Sequence, residues 1–329
     1  MSVLKPLRGL DPNTAEAFSS QIEQKHPQFE VLFAARERND PAVAEVTRLV
    51  SQNPQAPVRL LSGGPATLNR KVGLLLELSR SARYSLRVVN DSDIKVDPDY
   101  LREVTAPLAD PNVGVVTCLY RVKAHNVHAA WEALGIMTDF MPSTMVAQLI
   151  GVREFGLGST LAFRSEDLEK AGGFEPIGDF IADDYQLAKN ITTLGKRVVL
   201  STYVVETTLG DATWLGVWRH QLRWARTIRL SKGVGYLGLP ITQAGIWMLI
   251  AVTTGALPVA LLLVALRILS ALTAGGLVLK SKLAVALCWL APLWDLYSFA
   301  IWVTSYCGKT VRWRDRMLTI GPKGRILKQ

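Results

Sequence analysis

Residues 84–93 read YSLRVVNDSD. Tyr84–Val89 is an aromatic and β-branched run of strand length, and Asn90–Asp93 behind it is turn chemistry carrying two carboxylates. A strand that stops at acid puts charge at the carboxyl end of a sheet, where open α/β sheets receive their ligands. Outward from this point the chain keeps alternating. Phe29–Ala35, Val58–Leu61, Val113–Cys118 and Thr160–Arg164 are further strand candidates, and helical spacing fills Pro41–Val50 and Tyr185–Leu194. That alternation predicts an α/β fold with a largely parallel sheet and helices on both faces.

The pattern changes after Lys232. From Leu239 to Tyr306 the only charged residues are Arg267, Lys280, Lys282 and Asp295, which is membrane-helix composition. Ile241–Leu279 is too long for one crossing of an apolar layer about 30 Å thick, and Gly255 with Pro258 divides it. With Leu283–Tyr306 this predicts two or three membrane helices over 239–307. Asp295 in such a segment needs a partner, and Arg267 is the expected one. Residues 308–329 carry Lys309, Arg312, Arg314, Arg316, Lys323, Arg325 and Lys328 and are expected as a basic tail on the cytoplasmic side.

The net charge of +9 suits an anionic membrane surface. No basic stripe with interleaved aromatics points to nucleic acid, so none is expected as a partner. Cys118, Cys288 and Cys307 have neither metal-ligand nor disulfide spacing. Lys5 and Arg8 interrupt any secretory signal at Met1. His26, His125 and His128 form no ligand set and are expected on the surface or in loops.

Three groups of residues can carry chemistry. In an extended stretch residues i and i+2 face one side, so Asp91 and Asp93 can share a divalent cation of the kind that steadies a departing diphosphate. The same triplet also reads as a polar turn, and Asp97–Asp99 reads as the start of the next helix. Asp183 and Asp184 precede a helical run. They can cap it, or one can act as a general base whose pKa the other perturbs. Residues 214–231 form an amphipathic helix at the membrane interface. Arg219, Arg223 and Arg226 lie along one side and Trp214, Trp218, Leu222, Ala225 and Ile228 toward another. An arginine there can anchor the helix or hold a diphosphate.

In this order the motifs resemble the ceramide glucosyltransferase family, a group of processive-type inverting glycosyltransferases, with its bacterial hopanoid-associated branch as the nearer match. The resemblance begins at SVLKPLRGLDP, a motif that in relatives follows an N-terminal membrane helix. It continues through Arg38-Asn39-Asp40-Pro41-Ala42, Asn69-Arg70-Lys71-Val72, NDSDIKV, IADDYQLAKN and His220-Gln221-Leu222-Arg223-Trp224. VVTCLYR and PLWDLYSFAIWVTSYCGKTVRWRDR resemble the hopanoid branch. Two departures stand out: His220 where the family has Gln or Arg, and GLLLEL after Lys71 where it usually carries Asn.

The resemblance implies a GT-A type nucleotide-sugar-binding domain over 1–232, facing the cytoplasm and fixed in a bacterial inner membrane. It implies a UDP-sugar donor carrying glucose or N-acetylglucosamine, a hopanoid or ceramide acceptor, and Mg²⁺ or Mn²⁺ held by Asp91 and Asp93. Asp184 is then the base with Asp183 beside it. Asp40, Asn69 and Lys71 meet the nucleotide, and His220, Arg223 and Trp224 meet the diphosphate and acceptor. A polysaccharide synthase needs a larger membrane domain for its polymer channel. A non-catalytic lipid-binding scaffold has no reason to keep metal-dependent UDP binding.

Overall fold

The computed structural model describes residues 1–313 and 316–328, so Arg314 of the basic segment lies outside the described residues. The chain divides into two compact units, Met1–Tyr120 with Gln148–Thr208, and Arg121–Ala147 with Leu209–Gln329.

The first unit is built on a seven-stranded sheet: β1 (Ser2–Leu7), β2 (Glu30–Ala35), β3 (Val58–Ser62), β4 (Leu86–Val89), β5 (Val113–Ala124), β6 (Leu161–Arg164) and β7 (Arg197–Leu209). Their spatial order is β3-β2-β1-β4-β6-β5-β7. The first four run parallel, while β6 is antiparallel to both β4 and β5. β1 and β2 are buried along their whole length, as strands covered on both faces must be. Two apolar clusters lie against the sheet. One gathers Val3, Phe33, Val88, Tyr100 and Val116, and the other Leu4, Leu32, Leu75, Phe163 and Leu187.

The predicted α/β architecture is present, with two strands added. β1 escaped the periodicity because Lys5 and Pro6 interrupt its apolar run. β7 escaped because an edge strand alternates only partly between buried and half-exposed residues.

In the second unit, the helix Val127–Gly135 runs through a π-helical turn at Ile136–Phe140 into the helix Met141–Leu149. The helix Trp214–Lys232 follows β7 in the chain. Two apolar helical stretches, Leu257–Val278 (22 residues) and Lys282–Ser305 (24 residues), are long enough to cross a membrane by length and composition, the shorter reaching about 33 Å. A shorter apolar helix, Ala244–Thr253, precedes them. The predicted break between the first and second falls at Gly255, whose φ of 77° suits glycine, and Pro258 enters the first turn of the next helix.

The expected boundaries 1–232, 239–307 and 308–329 are not those of the compact units. Residues 121–147 belong with the C-terminal helices because their packing partners are there. At Gly135 a Cβ would fall 1.9 Å from the Trp294 ring, so only glycine admits that contact. The expected tail is folded as well. β8 (Thr310–Trp313), β9 (Arg316–Ile320) and β10 (Ile326–Lys328) form an antiparallel sheet that buries Val311, Leu318, Ile320 and Ile326. A charge count does not register these four alternating apolar residues.

Candidate active site

Asn90–Asp93 leave the end of β4, as the sequence predicts. Lys5 of β1 lies under this turn, fully buried, and its Nζ donates to Asn90 Oδ1 (2.9 Å) and to the Asp91 carbonyl (2.8 Å). Burial pulls its ammonium down to about 7, against the pull of Asp93 and Asp91. The Asp91 N–H donates to the Gly158 carbonyl at 3.0 Å. Ser92 Oγ donates to Asp11 at 3.3 Å, and Thr207 Oγ1 donates to Asp93.

The second acidic pair starts a helix, Asp183–Thr192. The Gly158 N–H donates to Asp184 Oδ2 at 2.9 Å, and the Tyr185 N–H donates to Oδ1 at 2.8 Å. Gly158 thus stands between the two acidic motifs. A Cβ there would lie 2.6 Å from Asp91 Oδ2 and 3.5 Å from Asp184 Oδ2. Lys71 joins them from another side, its Nζ 2.8 Å from Asp91 Oδ1 and 2.9 Å from Asp183 Oδ2. Asn69 caps the Lys71 helix with Oδ1, while Nδ2 donates to the Phe180 carbonyl at 2.8 Å and to Asp183 at 3.3 Å. The structure therefore brings together Asn69, Lys71, Asp91, Asp183 and Asp184, of which Asn69 and Asp183 are 114 positions apart in the chain.

This cluster has more acid than base. Burial, then the like charge of Asp183, raises Asp184 to about 6. Burial followed by Asp91 raises Asp93. Burial alone would lower Lys71, but Asp183, Asp91 and Asp184 outweigh it and push its ammonium upward. A carboxylate near 6 is ionised at neutral pH and still a stronger proton acceptor than an ordinary one, as general-base work requires.

A divalent ion would fit Asp91 and Asp93. Among the described residues no third acidic, His or Cys ligand completes a cage. Two carboxylates suffice for an ion that takes its remaining oxygens from substrate phosphates and water.

Asp40 has structural duties. Both its oxygens accept from the Gly9 N–H (2.9 and 3.0 Å), and Oδ1 also accepts from the Ala42 N–H at 2.9 Å, capping the helix Pro41–Gln52 and tying down the turn after β1. The sequence reading passed over Lys5, Gly158 and Thr207. A lysine inside an apolar strand and the GLGST stretch before β6 were their visible traces. Thr207 had none.

His220, Arg223 and Trp224 lie in the second unit on the helix Trp214–Lys232. His220 Nδ1 is 2.6 Å from Glu132 Oε1, and Gln221 Nε2 donates to the same oxygen at 2.7 Å. Trp224 packs between His220 and Phe140, with ring centroids at 4.9 and 5.1 Å. The expected interfacial face is covered in part: Trp214 is exposed, while Trp218 stacks edge-on against Tyr297, and Ala225 and Ile228 pack with Tyr236 and Ile301. Arg226 donates to the Thr310 and Cys307 carbonyls and Arg229 to the Gly308 carbonyl, so both are occupied in holding the chain leading into β8. Asp295 pairs with Arg267 as expected, through Nε (3.0 Å to each oxygen) and Nη2 (2.8 Å), with Nη1 on the Thr138 carbonyl.

The chain is 28% identical over 229 residues to ceramide glucosyltransferase 1 of Caenorhabditis elegans, covering 69% of this chain and 49% of that protein. It is 26% identical over 207 residues to ceramide glucosyltransferase 3 of the same organism, covering 62% and 45%. The chain thus spans about half the length of these curated relatives. Among solved structures, the mannosyltransferase PcManGT of Pyrobaculum calidifontis, in complex with GDP-Man and Mn²⁺, aligns over 93% of this chain and 86% of its own at 21% identity and a TM-score of 0.59. That likeness identifies the first unit's sheet as a GT-A type fold. Residues 1–326 match glycosyl transferase family 21, and the chain belongs to that family.

Proposed function

We propose that this protein is a membrane-bound inverting glycosyltransferase that moves a sugar from a UDP-sugar to a hydroxyl of a lipid. The observation that carries the reading is the Gly158 junction, where one residue's N–H and carbonyl hold Asp184 and Asp91 side by side. The base and the diphosphate end of the donor would then sit a residue's width apart. In a single displacement the acceptor oxygen attacks the anomeric carbon, the bond to UDP breaks with its electron pair, and the hydroxyl proton passes to Asp184. The Gly158 N–H keeps the receiving carboxylate from turning away.

Asp91 and Asp93 would hold Mg²⁺ or Mn²⁺, which when bound supplies positive charge to the leaving diphosphate. Lys71 adds a cation fixed between Asp91 and Asp183, and Asn69 sets the start of its helix. Asp40 meets the uridine side from a position held by Gly9 and Ala42, through Oδ2, which accepts from Gly9 alone and so retains lone-pair capacity. For His220, Arg223 and Trp224 the motif supports roles at the diphosphate and acceptor. The two long apolar helices support a lipid acceptor. Positive-inside bias supports a cytoplasmic location for the basic C-terminal segment, and in this reading the catalytic domain faces the cytoplasm at a bacterial inner membrane. The sugar is glucose or N-acetylglucosamine and the acceptor a hopanoid or a ceramide.

The test uses the full chain in nanodiscs with Mn²⁺, each labelled UDP-sugar and each lipid. Label passing into one lipid, lost on chelation and restored by Mn²⁺, is the expected result. Hydrolysis of every donor with no labelled lipid would overturn the lipid reading. Absence of metal-dependent UDP binding would overturn the transferase reading itself.

A further inference from the structure

We infer that Glu132 is a positioning residue that orients the His220 ring so that Nε2 faces the polar head of the lipid acceptor. This rests on the lipid-acceptor reading above.

Glu132 lies inside the helix Val127–Gly135 at 3% exposure, and a buried carboxylate needs donors. Two come from one place: His220 Nδ1 and Gln221 Nε2 both reach its Oε1, at 2.6 and 2.7 Å. Consecutive residues on a helix point about 100° apart, so both side chains have turned toward a carboxylate placed between them. An ionised carboxylate can only accept, so the proton in the His220 bond sits on Nδ1. Glu132 in this way selects the tautomer. In the neutral ring Nε2 is left with a lone pair, and in the charged ring it is a second donor.

The ring's plane is fixed as well, because its edge rests on Trp224, which rests on Phe140. The His220 side chain is nevertheless 30% exposed. A ring held by one nitrogen and one edge, yet open to solvent, offers its other nitrogen outward. A lipid hydroxyl both donates and accepts, so it can pair with Nε2 in either charge state. Stability does not account for Glu132, since an apolar side chain of similar size would serve a helix contact as well.

The test compares wild type, Glu132→Gln, His220→Gln and the double variant as full chains in nanodiscs, with Glu132→Asp as a second charged variant. With ¹⁵N-labelled histidine the protein shows four side chains, and His220→Gln identifies the relevant one. The expected wild-type spectrum has that ring protonated at Nδ1, a signature lost in Glu132→Gln and kept in Glu132→Asp. Glu132→Gln should raise the acceptor KM about tenfold and leave the UDP-sugar KM within about twofold. In the His220→Gln background the same change should have almost no effect.

A wild-type proton on Nε2 overturns the proposal, as does an equal effect of Glu132→Gln in both backgrounds. Acceptor and donor KM rising together would also overturn it, since that indicates general loosening. Should no lipid be glycosylated at all, the acceptor reading fails, and the spectra still decide whether Glu132 sets the tautomer.

Discussion

Two charge clusters, one in each unit, are both rich in acid and differ in how their carboxyl groups are partnered. In the second unit Arg267 meets Asp295 one to one, and spare valence goes to the Thr138 carbonyl and the Gly245 N–H. The neighbouring acid, Asp139, accepts from Trp294 Nε1 at 3.2 Å and Ser298 Oγ at 3.3 Å, so both acids there have donors from the protein itself. In the first unit Lys71 faces Asp91, Asp183 and Asp184, and the carboxyl groups of Asp184 and Asp93 are raised, by burial first and by their acidic neighbours second. A balanced pair stitches helices together. Carboxyl groups crowded together favour the arrival of a cation or a proton.

The comparison can be broken at several points, and the largest effect is expected at Asp184. Asp184→Asn keeps the size and loses the proton acceptor. Turnover should fall by about 10³-fold while UDP-sugar affinity measured by calorimetry stays within about threefold. Full activity would remove Asp184 from the base role.

Gly158→Ala should come next. The added methyl must displace Asp91 Oδ2 from 2.6 Å, and misplacement on that scale costs about 10²-fold in turnover. Unchanged kcat would mean that the Gly158 junction does not set the geometry. In the second unit, Asp295→Ala removes the ion-pair partner of Arg267 and should destabilise by about 3–5 kcal/mol, read as a lower Tm. Adding Arg267→Met should return most of that loss, because the pair is structural. If folded Asp295→Ala protein lost turnover in proportion to Asp184→Asn, the two clusters would not differ in kind.

The smallest effect concerns pH. Asp184 sits near 6, above the ordinary carboxyl value, and its protonated form cannot accept a proton. Activity should therefore rise with pH through about 6 and fall roughly tenfold per unit below it. Asp183→Asn removes the like charge that helps hold Asp184 up, so the acid limb of kcat/KM should move to lower pH. A limb that stays in place would mean that burial alone sets it.

Much of this was readable along the chain. Local chemistry marked β4 and its acidic turn, the Asp183–Asp184 helix start and the break at Gly255, because each is a short-range pattern of size, charge and turn propensity. The Arg267–Asp295 pair was readable too, since an apolar segment tolerates few alternatives. The folded C-terminal segment was harder. Its basic residues dominate composition, while the four apolar residues that make it a sheet are scattered among them. The arginines of Trp214–Lys232 looked alike in sequence, yet Arg226 and Arg229 are taken up by backbone carbonyls and Glu132 claims His220.

By itself the sequence determined the strand-to-acid transitions, the apolar helices and the motif order, all of which arise from neighbours within a few residues. Only the tertiary structure decided that Lys71 lies between Asp91 and Asp183, that Gly158 separates Asp91 from Asp184, and that Lys5 supports the turn beneath them. These relations depend on β1 and β4 running side by side and on a chain reversal at β6. The order of strands in a sheet is set by the packing of the whole core, and no local pattern encodes it.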